Sequence, residues 1–116
     1  MSKNEINYVE FPARDLAATK QFFSEAFSWN FVDYGPDYCS FEKQGIDGGF
    51  YRADLASETS HGGALVILYA DALEDCLDKV KAAGATISKD IFDFPGGRRF
   101  HFIEPSGNEL AVWSDS

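Results

Sequence analysis

Two stretches of the chain share one spacing of small, acidic and aromatic residues. Gly45, Asp47, Gly49 and Tyr51 stand at every second position, and so do Gly107, Glu109, Ala111 and Trp113. Period-two alternation places each set on one face of a strand. The helical signals repeat as well. Asp15-Leu16 followed by Phe22-Phe23 corresponds to Ala72-Leu73 followed by Lys79-Val80. A chain that states one pattern twice points to a fold of two like modules.

The remaining residues fill in that pattern. Residues 6–11 alternate as a strand that Pro12 ends. Asp15 is a helix N-cap, and residues 16–27 place Leu16, Phe22, Phe23, Ala26 and Phe27 near one stripe. Residues 28–34 lead into a second strand, 38–42 form a third, and 45–52 form a glycine-weakened fourth. Residues 54–63 are small and polar and connect two halves. Residues 64–70 are a continuous apolar run, expected as a buried strand. Asp71 with Glu74 makes a capping box for a helix whose stripe is Leu73, Leu77 and Val80, closed by Gly84. Residues 85–89 read as a strand and 93–97 as a loop. A hairpin then runs from Arg98 through Pro105-Ser106-Gly107-Asn108 to Trp113. The order β-α-β-β-β occurs twice. This predicts one α+β domain over residues 1–116, made of modules at about 5–54 and 62–115.

Nineteen Asp and Glu stand against ten Lys and Arg, a net charge of −9. Such a surface repels phosphate backbones and anionic lipid, so neither nucleic acid nor a membrane is expected as a partner. Aromatic residues make up 16% of the chain. Some must fill a core, and the rest are available to line a pocket. Cys39 and Cys76 belong to no CxxC or Cys/His cluster, which argues against structural zinc and for free thiols in the cytoplasm. Met1-Ser2-Lys3-Asn4-Glu5 lacks the apolar segment of a signal peptide, and no apolar run reaches membrane-spanning length. Ser-His-Asp order, P-loop and dinucleotide fingerprints are absent.

The first strand and cap, Ile6-Asn7-Tyr8-Val9-Glu10-Phe11-Pro12-Ala13-Arg14-Asp15-Leu16, resemble the opening of the vicinal oxygen chelate superfamily. That superfamily includes glyoxalase (lactoylglutathione lyase), bleomycin-resistance proteins and extradiol dioxygenases. The turn Glu104-Pro105-Ser106-Gly107-Asn108-Glu109-Leu110 is similar to its Asp-Pro-x-Gly-Asn hallmark, with Glu104 in place of Asp. The Pro95-Gly96-Gly97-Arg98 loop and the Trp113-Ser114 ending look closest to small proteins related to lactoylglutathione lyase. The resemblance implies two tandem modules that form a curled mixed sheet, a cup with helices outside, and a homodimer that covers the sheet edges. In metal-dependent members it also implies a divalent ion on the first and last strands of each module, acting as a Lewis acid on two vicinal oxygens.

Carried over residue by residue, the ligand positions are Tyr8, Gly49, Leu65 (or Ala64, one residue earlier) and Ala111. Gly, Leu and Ala offer no side-chain donor, and a neutral tyrosine is a poor ligand. No metal and no cofactor are therefore expected. Strand alternation puts Glu10, Asp47, Tyr51, Glu109 and Trp113 on the same inner face. If Ile103 pairs with Asn108, then Arg98, Phe100 and Phe102 also point inward and His101 lies on the helix side; a one-residue slip reverses that set. The expected ligand-binding residues are Tyr8, Glu10, Asp47, Tyr51, Arg98, Phe100 and Trp113. Glu10 is paired with Arg98, Arg99 or Arg52, or a general base, or simply exposed to solvent. His101 is expected as a hydrogen-bonded structural residue, His61 as solvated, and both cysteines as packing residues. The expected function is binding of a small aromatic or charged molecule. The alternative is a lyase, isomerase or other enzyme, with Glu10 or Tyr8 as base and Arg98 as oxyanion partner.

Overall fold

The strand signal of residues 6–11 becomes β1 (Tyr8–Ala13) in the computed structural model, which describes residues 3–116. Met1 and Ser2, part of the stretch read for a signal peptide, lie outside the described residues. The chain continues through α1 (Leu16–Phe27), β2 (Phe31–Asp33), β3 (Tyr38–Gln44) and β4 (Ile46–Arg52). The second half is β5 (Val66–Tyr69), α2 (Leu73–Ala82), β6 (Thr86–Phe94), β7 (Gly97–Ile103) and β8 (Glu109–Ser114). Two four-stranded mixed sheets result, ordered β1-β4-β3-β2 and β5-β8-β7-β6. In each, the first strand of the module runs parallel to the last, and the other neighbours are antiparallel. Among the described residues no helix is long and apolar enough to cross a membrane.

The helix ends show how local chemistry sets the boundaries. Asp15 caps α1 by accepting from the Ala18 N–H at 3.0 Å. Ser28, at φ 60, turns the chain out of the helix; its N–H donates to the Ser24 carbonyl and the Trp29 N–H to the Phe23 carbonyl. At α2 the expected capping box does not form. Ala72 is the N-cap and has no side-chain cap bond. The Asp71 carbonyl instead accepts from the hydroxyls of Ser114 and Ser116. The Glu74 carboxylate, the other half of that box, is taken by Arg98. The expected loop over 93–97 is shorter, because Phe94 already pairs with Gly97 across the β6–β7 turn.

One core joins both modules. Phe11, Phe22, Phe23, Trp29, Phe41 and Phe50 from the first cluster with Leu73, Val80, Phe100, Phe102, Leu110 and Val112 from the second. Helix α1 supplies the link: Phe23 packs on Phe50 of β4, with ring centroids 5.4 Å apart, while Phe22 packs on Phe102 of β7 at 5.6 Å. The helix-side faces of the two sheets therefore meet at a shared interior. Their opposite faces, here called open faces, carry Tyr8, Val32, Tyr51, Ile67 and Tyr69, all exposed. Cys39 and Cys76 are buried free thiols, as packing residues would be.

The register of the last hairpin differs from the one expected. Ile103 pairs with Glu109, Phe102 with Leu110, Phe100 with Val112 and Arg98 with Ser114. The cause is the turn. The Glu104 N–H donates to the Asn108 carbonyl, so these two residues close the loop one step earlier than an Ile103–Asn108 pair would. Glu104 is 2% exposed, and its carboxylate accepts from the Ser106 N–H, the Thr19 hydroxyl and the Asn108 side-chain amide. The Asn108 amide also donates to the Pro12 carbonyl at 2.7 Å. Arg98, Phe100 and Phe102 consequently face the helices, and Arg99, His101 and Ile103 take the open face.

Replacing Glu104 by Ala strands the Asn108 amide and the Ser106 N–H in a dry site. We expect a loss of about 3 kcal/mol of stability, read from urea unfolding. A loss under about 1 kcal/mol would show that the turn holds without this carboxylate.

Candidate functional site

On the open face of the first sheet, β1 and β4 run parallel with Tyr8 beside Asp47 and Glu10 beside Gly49. Tyr38 of β3 sits beside Tyr51 and reaches across Gly49. Its hydroxyl lies 2.6 Å from that of Tyr8 and donates to Glu10 at 2.9 Å. A β-carbon on Gly49 would overlap the Tyr38 hydroxyl, so the glycine makes room for the ring. Partial burial, followed by the bonds to Tyr8 and Glu10, raises the Tyr38 phenol well above its ordinary value. Glu10 is exposed and partnered by this phenol, and no ion pair to Arg98, Arg99 or Arg52 forms. Asp47 accepts the Lys43 backbone N–H.

The open face of the second sheet has the opposite character. Glu109 and His101 are both buried and meet at 3.2 Å through the imidazole Nδ1. The other oxygen of Glu109 accepts the Thr59 N–H at 2.9 Å and its hydroxyl at 2.7 Å. The connecting segment between the modules is thereby pinned to β8. Burial alone would raise the Glu109 carboxyl, but the Thr59 and His101 bonds outweigh it and hold the group below its usual range. Further along β7, the Arg99 guanidinium lies over the rings of Phe92 and Phe94, at 5.3 and 5.4 Å. Phe94 and Tyr69 pack edge-on against Trp113. Ile67, Phe94, Gly96, Arg99 and Trp113 line a cleft of about 270 Å³. Two buried polar atoms on this face, Arg99 Nε and His101 Nε2, have no hydrogen-bond partner.

Of the seven expected ligand-binding residues, five occupy open faces: Tyr8, Glu10, Asp47 and Tyr51 on the first sheet, Trp113 on the second. Arg98 and Phe100 do not. Phe100 is fully buried in the core. Arg98 pairs with both oxygens of Glu74 on α2, with Nη2 at 3.1 Å. The one-residue register difference moves both to the helix side. The same shift brings in Arg99 and His101, which sequence reasoning had passed over or turned away. The signal for them was present: Phe100 and Phe102 match Leu110 and Val112 as large apolar pairs, which belong on a core face. Tyr38 was also missed, because only Gly49 beneath it lets a β3 side chain reach β1. His61 is exposed beside Glu58. A larger cleft, about 650 Å³, lies along β5, with Val9, Phe11, Trp29 and Phe41 among its walls. Those aromatics belong to the core, so this cleft is a gap where the core meets the free edge of β5.

The positions that would hold a divalent ion do not fit one. The space above Gly49 is occupied by Tyr38, Ala111 sits opposite His101, and Leu65 carries no donor. Among the described residues, no group of three or more His, Cys, Asp or Glu is placed to hold a metal.

The profile of the Glyoxalase/Bleomycin resistance protein/Dioxygenase superfamily matches residues 5–112. No curated protein sequence matches the chain. Several solved structures share the fold. A glyoxalase-related enzyme from Fulvimarina pelagi superposes with a TM-score of 0.81 at 15% identity, over 97% of this chain and 88% of that one. A glyoxalase/bleomycin resistance protein/dioxygenase family enzyme from Burkholderia phytofirmans gives 0.78 at 16% identity, over 95% and 98%. Lactoylglutathione lyase from Agrobacterium tumefaciens gives 0.72 at 18% identity, over 98% and 96%.

The lowered Glu109 carboxyl gives a pH test. Its stabilisation is present above the unfolded value, near 4.3, and is lost as pH falls through the lower folded value. Glu109→Gln should therefore cost about 2 kcal/mol at pH 7 and progressively less toward pH 3, read from thermal melts. A pH-independent cost would show that Glu109 gains nothing from its charge.

Proposed function

The chain belongs to the Glyoxalase/Bleomycin resistance protein/Dioxygenase superfamily, and from that premise we propose that it binds a small aromatic or charged molecule on an open sheet face without a metal ion. The observation that carries this reading is the second-sheet face itself. It keeps an aromatic cleft and two unpartnered buried polar atoms, while the four positions aligned with the family's ligands hold a tyrosine, a poor ligand when neutral, and Gly49, Leu65 and Ala111, which have no side-chain donor. Apolar walls with a few fixed polar groups are the usual composition of a small-molecule site. Trp113 and Phe94 supply stacking area and Arg99 supplies charge. Tyr8, Glu10, Tyr38, Asp47 and Tyr51 form a second, acidic and aromatic surface that favours positively charged groups. The enzymatic alternative loses support, because Arg98 is held by Glu74 away from Glu10 and Tyr8.

Homodimer formation and a cytoplasmic location are part of the same proposal. β1 and β5 each pair on one side only, and exposed strand edges invite cover. Light scattering should give twice the mass of 12.9 kDa; a monomeric mass at high concentration would remove the dimer from the account.

A panel of aromatic, cationic and anionic small molecules should quench Trp113 fluorescence, and chelator should leave that response unchanged. Trp113→Phe identifies the signal against buried Trp29. A response restored only by added divalent ion, or a silent panel, would count against metal-free binding.

A further inference from the structure

Arg99 is the feature that narrows the ligand. Four cations of this acidic chain, Arg14, Lys20, Arg52 and Arg98, are spent on carboxylates. Arg99 makes no ion pair among the described residues, although it is only half-exposed. Its position is nevertheless fixed. Phe92 and Phe94 on β6 hold the guanidinium at cation–π distance, and β7 anchors its backbone opposite Trp113. A cation–π contact uses none of the N–H donors, and Arg99 lines the cleft, so its terminal amino groups are left for a ligand there. Lys89 adds a second positive charge, with its ammonium 5.9 Å from the Phe92 ring. Of the nearby carboxylates, Glu109 accepts from His101 and Thr59 and Asp115 from the Tyr69 hydroxyl at 2.6 Å, so neither pairs with Arg99. Arg99 and Lys89 therefore stand on this face with no ion-pair partner among the described residues, in a protein of net charge −9.

The cleft beside this cation is open and apolar. Ile67, Phe94 and Trp113 make its walls, and Gly96 lies beside the Phe94 ring. A volume near 270 Å³ suits a single substituted ring rather than a peptide or a nucleotide. Resting on the reading of this face as a binding surface, we infer that its ligand class is the small aromatic monocarboxylates. The ring lies in the cleft against Trp113 and Phe94, and the carboxylate accepts the planar N–H pair of Arg99. A cationic ring would place like charges together. A neutral ring would leave the arginine unpaired beneath it, which costs more than it gains.

Benzoate, benzamide and benzylamine match in size and differ in charge. Calorimetry at low salt should show benzoate binding at least tenfold more tightly than the other two, with salt weakening benzoate alone. Arg99→Gln should weaken benzoate at least tenfold and leave benzamide unchanged. Arg99→Lys, which keeps the charge but not the stacked plane, should fall between. Arg98→Gln should leave benzoate binding as it is. Thermal melts check that each variant is folded. Equal binding of all three compounds, or benzoate binding that survives Arg99→Gln, would overturn the carboxylate assignment while leaving the broader binding proposal standing. No binding of any of the three, alongside a silent ligand panel, would overturn both.

Discussion

The buried carboxylate of Glu104 is the interaction on which the arrangement of the second module depends. It gathers the Thr19 hydroxyl of α1, the Ser106 N–H and the Asn108 amide into one dry cluster. The Asn108 amide reaches on to the Pro12 carbonyl at the end of β1, and the Ser106 hydroxyl accepts the Asp15 N–H at the start of α1. A turn in the second module is thus fastened to the strand–helix junction of the first. Burial raises the Glu104 carboxyl above its ordinary value against the opposing pull of its donors. This group alone therefore favours the fold below the unfolded carboxylate value and loses that contribution as pH rises through its folded value. The bonds it collects, and the donors that would otherwise be stranded, are what the fold retains at neutral pH.

The consequence runs outward along the hairpin. Closing the turn at Glu104 and Asn108 sets Phe100 and Phe102 against Leu110 and Val112 in the core. It turns Arg99 and His101 to the open face and leaves Arg98 for Glu74. A strand has period two, so one residue of register decides which arginine is structural and which is free. The two open faces then differ in charge for a local reason. The first carries Glu10 and Asp47 among tyrosines, and the second carries Arg99 and Lys89 among Phe92, Phe94 and Trp113, with Glu109 held by His101 and Thr59. On the first face the Tyr38 ring fills the space above Gly49.

Much of this was legible in the residues. The duplicated β-α-β-β-β order, the N-cap at Asp15 and the extent of α1 follow from alternation and capping chemistry, and the structure has them. So do the open-face positions of Tyr8, Glu10, Asp47, Tyr51 and Trp113, which depend on single strands. What failed depended on pairs of strands or on competition. Arg98 and Phe100 were misplaced because a hairpin register is a relation between two strands, and the turn length was read one residue long. The Asp71–Glu74 box failed because Glu74 met a stronger partner in Arg98. Tyr38 and the Thr59–Glu109–His101 chain were invisible because they join residues from separate elements.

The central claim is that this register presents Arg99 and Trp113, without a metal, to a small ligand on the open face. The measurement that addresses it most directly is a crystal structure of the protein grown with benzoate. The account predicts a ring in the cleft against Trp113 and Phe94, carboxylate oxygens on Arg99, and Arg98 bound to Glu74. Arg98 and Phe100 on the open face, or a metal ion held among Tyr8, Gly49, Leu65 and Ala111, would contradict it.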